Sequence, residues 1–163
     1  MRKLILLLIL ALSPAVFPLG MSIENNGFIF LGNIEPGGSE YTAGYDYTQQ
    51  TIVSFNIDPA LAANLQVQAD DFRGTATLPI SSLSWQVAYA QANIGIVPWV
   101  TALSATYQTQ AFASGVPATI YSYPGSVLNY TGGFQFNFLW HIAVPQNQQS
   151  GSYYTNVWFT LTQ

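Results

Sequence analysis

Phe134-Gln135-Phe136-Asn137-Phe138-Leu139-Trp140-His141-Ile142-Ala143-Val144 decides the fold. Large apolar side chains stand at every second position. Side chains of a strand point alternately to its two faces, so this stretch predicts a half-buried strand of about ten residues. The closing segment has the same period. Tyr153, Thr155, Val157, Phe159 and Leu161 share one face, and Tyr154, Asn156, Trp158, Thr160 and Thr162 share the other. Leu83-Trp85-Val87-Tyr89, Val53-Phe55-Ile57 and Leu65-Val67-Ala69 predict three more strands. Thr101 to Thr109, Thr119 to Tyr123 and the short run Phe28 to Leu31 carry weaker signals of the same kind.

Turn chemistry separates these runs. It appears at Glu35-Pro36-Gly37-Gly38, Asp58-Pro59, Arg73-Gly74, Asn93-Ile94-Gly95, Ser114-Gly115, Tyr123-Pro124-Gly125, Thr131-Gly132-Gly133 and the polar stretch Pro145 to Ser152. A helical period is absent, and Pro59 to Ala63 has room for one helical turn. About seven to nine short strands between such turns predict an all-β, single-domain antiparallel β-sandwich of immunoglobulin-like or pilin-like kind. A closed barrel is the alternative.

Residues 74–163 contain no Lys, Arg, Asp or Glu, and only 6% of the whole chain is charged. Ordinary domains carry about 25%. Aromatic residues nevertheless make up 15%. Surface charge keeps soluble monomers apart, so a chain that gives it up is built to touch other material. Residues 1–22 read as a secretory signal peptide. Met1-Arg2-Lys3 is basic, Leu4 to Leu12 is unbroken and apolar, and the small residues Gly20 and Ser22 place the cut before Ile23. Residues 23–34 then form an N-terminal strand, and 35–163 the sandwich.

Beyond the signal, seven carboxylates face a single base, Arg73. Nucleic acid and anionic membrane surfaces are therefore excluded as partners, and no membrane span is expected after cleavage. Cysteine is absent, which excludes both disulfide staples and a lipid-modified N-terminus. Lysine is absent after Lys3, which excludes isopeptide cross-links.

The order of motifs resembles that of secreted prokaryotic cell-surface β-sandwiches, including WxL-type wall-binding domains and pilin-like or spore-coat-like subunits. The resemblance rests on Phe30-Leu31-Gly32-Asn33-Ile34-Glu35-Pro36-Gly37, Asn64-Leu65-Gln66-Val67, Leu78-Pro79-Ile80-Ser81-Ser82-Leu83-Ser84-Trp85 and Gly151 to Thr162. It implies an envelope-associated structural or adhesive role. The WxL signature itself is not met, because Trp158 and Leu161 stand three apart, and direct peptidoglycan binding is not implied.

Candidate chemistry is sparse. Asp70-Asp71 could hold Ca²⁺ only if the chain turned both carboxylates to one side, and calcium asks for six to eight oxygens; a solvated Asp–Arg pair with Arg73 is the plainer reading. His141, the chain's one imidazole, lacks a nucleophile elbow or a neighbouring acid in sequence. Glu24, Glu35 and Glu40 crowd the N-terminal segment, and glycoside hydrolysis needs two carboxylates at a set separation. No catalytic residue, metal site or cofactor is expected.

Interaction candidates are stronger. Tyr154 and Trp158, about 13 Å apart at strand rise, and Trp99 after Pro98 are aromatics suited to stacking on sugars or burial in a neighbour. Ile23, Phe28 and Phe30 lie on a segment that pairs within its own sandwich or crosses to a neighbour as a donor strand. Asn129-Tyr130-Thr131 is an N-glycosylation sequon. The expected function is that of a non-enzymatic, secreted structural protein of the cell surface. It would be a subunit of a filament, pilus or coat that associates with itself or with other envelope proteins. The alternative is a carbohydrate- or wall-binding module using the surface aromatics.

Acid unfolding comes largely from protonating carboxylates that are paired in the native state. A chain with so few should keep a cooperative melting transition at pH 2. A thermal scan by circular dichroism checks this, and loss of the transition at that pH contradicts it.

Overall fold

The computed structural model describes residues 19–24, 33–41, 51–58, 60–92, 109–125 and 133–163. Among them are eleven strands: β1 Gly20–Glu24, β2 Ser39–Tyr41, β3 Thr51–Asn56, β4 Ala63–Ala69, β5 Arg73–Gly74, β6 Leu83–Ala92, β7 Gln110–Ala111, β8 Ala118–Tyr123, β9 Gly133–Ala143, β10 Tyr153–Tyr154 and β11 Val157–Thr162. A single 3-10 turn, Ile80–Ser82, precedes β6. The larger sheet has the order β1-β3-β9-β6-β7, with β2 also on β9; the smaller has the order β11-β4-β8; β10 and β5 form a short ribbon. Every pairing is antiparallel. The expected all-β antiparallel sandwich is thus the observed architecture. It has more strands than expected because β2, β5, β7 and β10 are only two or three residues long.

The alternating stretch becomes β9, the hub of the larger sheet. One of its edges is shared by β3, along 133–138, and β2, along 141–143; the other edge pairs with β6. Phe134, Phe136, Phe138, Trp140 and Ile142 are buried, while Gln135, Leu139 and His141 between them are half-buried. Asn137 departs from the alternation and is buried too. The smaller sheet closes over this face. Tyr121 of β8 lies 5.1 Å from the Phe134 ring and 5.8 Å from Phe55. Phe159 of β11 lies 5.0 Å from Phe138. Leu65, Val67 and Ala69 of β4 are fully buried between them. Each Val, Leu or Phe side chain among these contributes about 1.5–3 kcal/mol on leaving water.

Turns form where the sequence signals them. At Glu35-Pro36-Gly37-Gly38 the Gly38 N–H donates to the Glu35 carbonyl at 2.8 Å, and Gly37 has φ +85°, a conformation that glycine adopts without steric cost. Val144 clamps this turn to the end of β9 through two backbone bonds of 2.9 Å, to Gly37 and Gly38.

Two expectations are corrected. Residues 60–63 do not make a helical turn. The Leu61 N–H donates to the Asp58 carbonyl and the Ala60 N–H to the Asp58 Oδ1, so the Asp58 side chain sets a tight turn and Ala63 already belongs to β4. The closing segment is not one strand over 153–162. It breaks at Thr155-Asn156, where its partner changes from β5 to β4. Residues 25–32 of the expected N-terminal strand lie outside the described residues; ahead of them β1, Gly20–Glu24, pairs with β3 of the same chain. A cut before Ile23 would divide it. Phe28 to Leu31 and Thr101 to Gln108 lie outside the described residues.

The two fully buried tryptophans differ in one respect. Trp140 Nε1 donates to Thr51 Oγ1 at 3.0 Å, whereas Trp85 Nε1 is buried without a partner among the described residues. Trp140→Phe should therefore destabilise the fold by about 1–3 kcal/mol more than Trp85→Phe, because only the former abandons a buried acceptor. Urea midpoints of the two variants check this.

Candidate interaction surface

Antiparallel sheets leave edges, and a sandwich must manage them. Charges, proline, bulges and shortness are the usual devices against edge-to-edge pairing. Among the described residues, β7 is only Gln110–Ala111. β8 is preceded by Pro117, followed by Pro124, and bulged opposite Leu65/Gln66. β1 carries Glu24. The fourth edge, β11, has none of these devices. Its six residues, Val157-Trp158-Phe159-Thr160-Leu161-Thr162, contain no charge and no proline, and its register with β4 is unbroken.

The groups that β11 presents can be assigned. The Asp70 N–H donates to the Asn156 carbonyl at 3.2 Å, in continuation of the Ala69–Val157 register. Bonded and outward-facing residues alternate along an antiparallel strand. The even-numbered residues Trp158, Thr160 and Thr162 therefore bond β4. Val157, Phe159 and Leu161 turn their N–H and C=O groups away from β4, to an edge that no described strand pairs.

The partner change before β11 also has a cause. Thr155 Oγ1 donates to the Asp70 carbonyl at 2.6 Å, and β5 then takes over at Gly74. That glycine has φ +149°, and a Cβ there would lie 1.9 Å from the Ser152 oxygen. Only a residue without a side chain lets the two backbones meet so closely. The preceding loop is pinned by Gln148 Nε2, which donates to the Thr77 carbonyl at 3.1 Å and to the Tyr153 hydroxyl at 2.7 Å. The Tyr153 hydroxyl in turn donates to the Gln149 carbonyl.

A cavity of about 880 Å³ opens beside β11. Trp140 and Leu78 belong to its lining, as do Ile23, Ile34, Val157 and Trp158. Glu35 is its one acid among the described residues, and His141 does not line it.

The other candidates separate. Asp70 Oδ2 lies 3.9 Å from Arg73 Nη2, with both side chains solvated. Asp71 Oδ2 instead accepts from Ser114 Oγ at 2.9 Å. The two adjacent carboxylates thus serve different partners, as expected of a solvated strand end. No three His, Asp or Glu side chains gather among the described residues. Sequence reading did not pair His141 with Ser84, which stands opposite it in the β6–β9 register. Ser84 Oγ is 3.2 Å from His141 Nδ1 and 3.3 Å from the His141 carbonyl. Ser84 is buried, so its hydroxyl ties two strands together.

Tyr154 and Trp158 are exposed, at 62% and 44%. Ile23 is 40% exposed on β1 and pairs with Val53 of its own chain. Phe28, Phe30, Trp99 and Asn129 lie outside the described residues.

No family model matches the chain, and no curated protein does. Among solved structures, a family 123 glycoside hydrolase from Clostridium perfringens, described for glycolipid glycan hydrolysis, aligns with 89% of this chain at 16% identity and a TM-score of 0.40. The chain spans 25% of that protein's length. A score this low establishes no shared fold, and nothing passes from the hydrolase to this chain.

Gly74→Ala should cost about 1–3 kcal/mol, because the added methyl group must push the Ser152 backbone away. Chemical denaturation checks this; an unchanged midpoint would contradict the close approach.

Proposed function

We propose that this chain is a non-catalytic, secreted structural protein of the cell surface whose copies associate edge to edge through β11. The observation that supports this most is the state of that edge. It is six residues long, and among the described residues it carries no charge, proline or bulge that would block pairing. A second copy offering its own β11 antiparallel would meet outward N–H and C=O groups with the same set. Each hydrogen bond made this way contributes about 1 kcal/mol net. The scarcity of charge favours the same reading, because no like-charge repulsion opposes approach along this face. A non-catalytic role is favoured by the burial of Ser84 next to His141 and by a cavity lined, among the described residues, by one acid.

Sedimentation velocity at rising concentration tests the reading. Wild-type chain should move from monomer to dimer or longer species. Val157→Pro replaces an N–H that faces the open edge and spares every bond to β4. That variant should weaken association by at least tenfold, about 1.4 kcal/mol, with its far-ultraviolet circular dichroism unchanged. A wild-type chain that stays monomeric at several hundred micromolar overturns the proposal.

A further inference from the structure

The outer face of the β11-β4-β8 sheet is built from neutral hydrogen-bonding side chains in register. Thr162, Asn64 and Ser122 lie opposite one another across the three strands; Thr160, Gln66 and Thr119 form the next row; Trp158 stands beside Gln68 in the third. Residues directly opposite on antiparallel strands share a face. The inward partners confirm the assignment, since Ala63, Leu65, Val67, Tyr121 and Tyr123 are all buried. The bulge on β8 buries both Ile120 and Tyr121 and so returns Thr119 and Ser122 to the outside.

This face has three properties at once. Its three rows carry no ionisable group, and Asp70, next beyond Gln68 on this side, is paired with Arg73. Its central strand presents the carboxamides of Asn64, Gln66 and Gln68, and among the described residues no hydrogen bond engages those of Gln66 or Gln68. An exposed indole, that of Trp158, stands at its edge.

Each property narrows the partner. A phosphate, sulfate or uronate polymer would find no counter-charge in these rows, and the guanidinium beyond them, Arg73, already faces Asp70. A protein partner wants an apolar, aromatic-rich centre, and this face offers one tryptophan among amides and hydroxyls. A neutral sugar polymer fits all three. Its rings have an apolar C–H face for an indole, and its hydroxyls both donate and accept, as a carboxamide does. Adjacent strands lie about 4.8 Å apart and alternate residues about 6.8 Å apart, spacings on the scale of one sugar ring.

We propose that this face binds a neutral polysaccharide, with Trp158 stacked on a sugar ring and Gln66 and Gln68 bonded to its hydroxyls. The site does not rest on the edge reading, because its carboxamides lie on the central strand.

Co-sedimentation of the full chain with insoluble cellulose, chitin and a (1→3)-β-glucan, and with calcium alginate as the anionic comparison, tests it. Binding to at least one neutral polymer is expected, with little change between 50 and 500 mM NaCl. Trp158→Ala, and separately Gln66→Ala with Gln68→Ala, should each lower that binding at least tenfold. The glutamine pair should leave the melting temperature and the sedimentation behaviour of the protein as they were, whereas Val157→Pro should leave polymer binding intact. Three outcomes overturn the proposal: no binding to any neutral polymer, binding only to alginate, and binding that both variants retain.

Discussion

The packing of the smaller sheet onto β9 is the constraint on which the rest depends. β9 is hydrogen-bonded along both edges, so its inner face is a fixed row of rings. Tyr121 meets the Phe134 end of that row and Phe159 meets Phe138. Those two contacts locate β8 and β11, and β4 between them, relative to the larger sheet. Once β11 is held through Phe159, its outward N–H groups and its exposed side chains have no freedom of direction. The edge and the outer face are consequences of core packing.

The absence of charge in residues 74–163 follows the same geometry. β6, β8, β9 and β11 all come from that half of the chain. Hydroxyls and carboxamides keep their solvent-facing positions wet without giving the sheet a net field. Such a surface loses the electrostatic protection that keeps ordinary monomers apart. The remaining protections, a bulge and flanking prolines on β8 and shortness on β7, are distributed unevenly. Among the described residues, β11 is left without any.

Much of this was legible in the sequence, for a definite reason. A two-residue period states which side chains share a face, and burial follows that period along β3, β4, β9 and β11. The exposure of Tyr154 and Trp158 could be read the same way. What the period cannot state is who pairs with whom. The break at Thr155-Asn156 leaves the alternation of Tyr153 to Thr162 undisturbed, because it is a change of partner and not of face. The Ser84–His141 contact joins residues whose adjacency exists only through the β6–β9 register. The row of Thr160, Gln66 and Thr119 is likewise invisible until three distant segments are aligned. Gly20-Met21-Ser22 has the small residues of a cleavage site, and the same residues fit an edge beside Phe55 and Ser54.

Edge and face act in perpendicular directions, and this bears on how they combine. Backbone groups of Val157, Phe159 and Leu161 point within the plane of the sheet, whereas Trp158, Thr160 and the carboxamides of β4 stand out of it. Pairing at the edge would therefore extend the neutral face rather than cover it. Two copies joined antiparallel would double the rows and place two indoles near the seam. A polymer lying across both would meet its second site at an effective concentration set by a rigid sheet instead of a flexible linker. Avidity then rises without any new contact. Weak attraction for each sugar ring would be enough for firm attachment, provided that the copies assemble, and assembly on the polymer would in turn be favoured over assembly in solution.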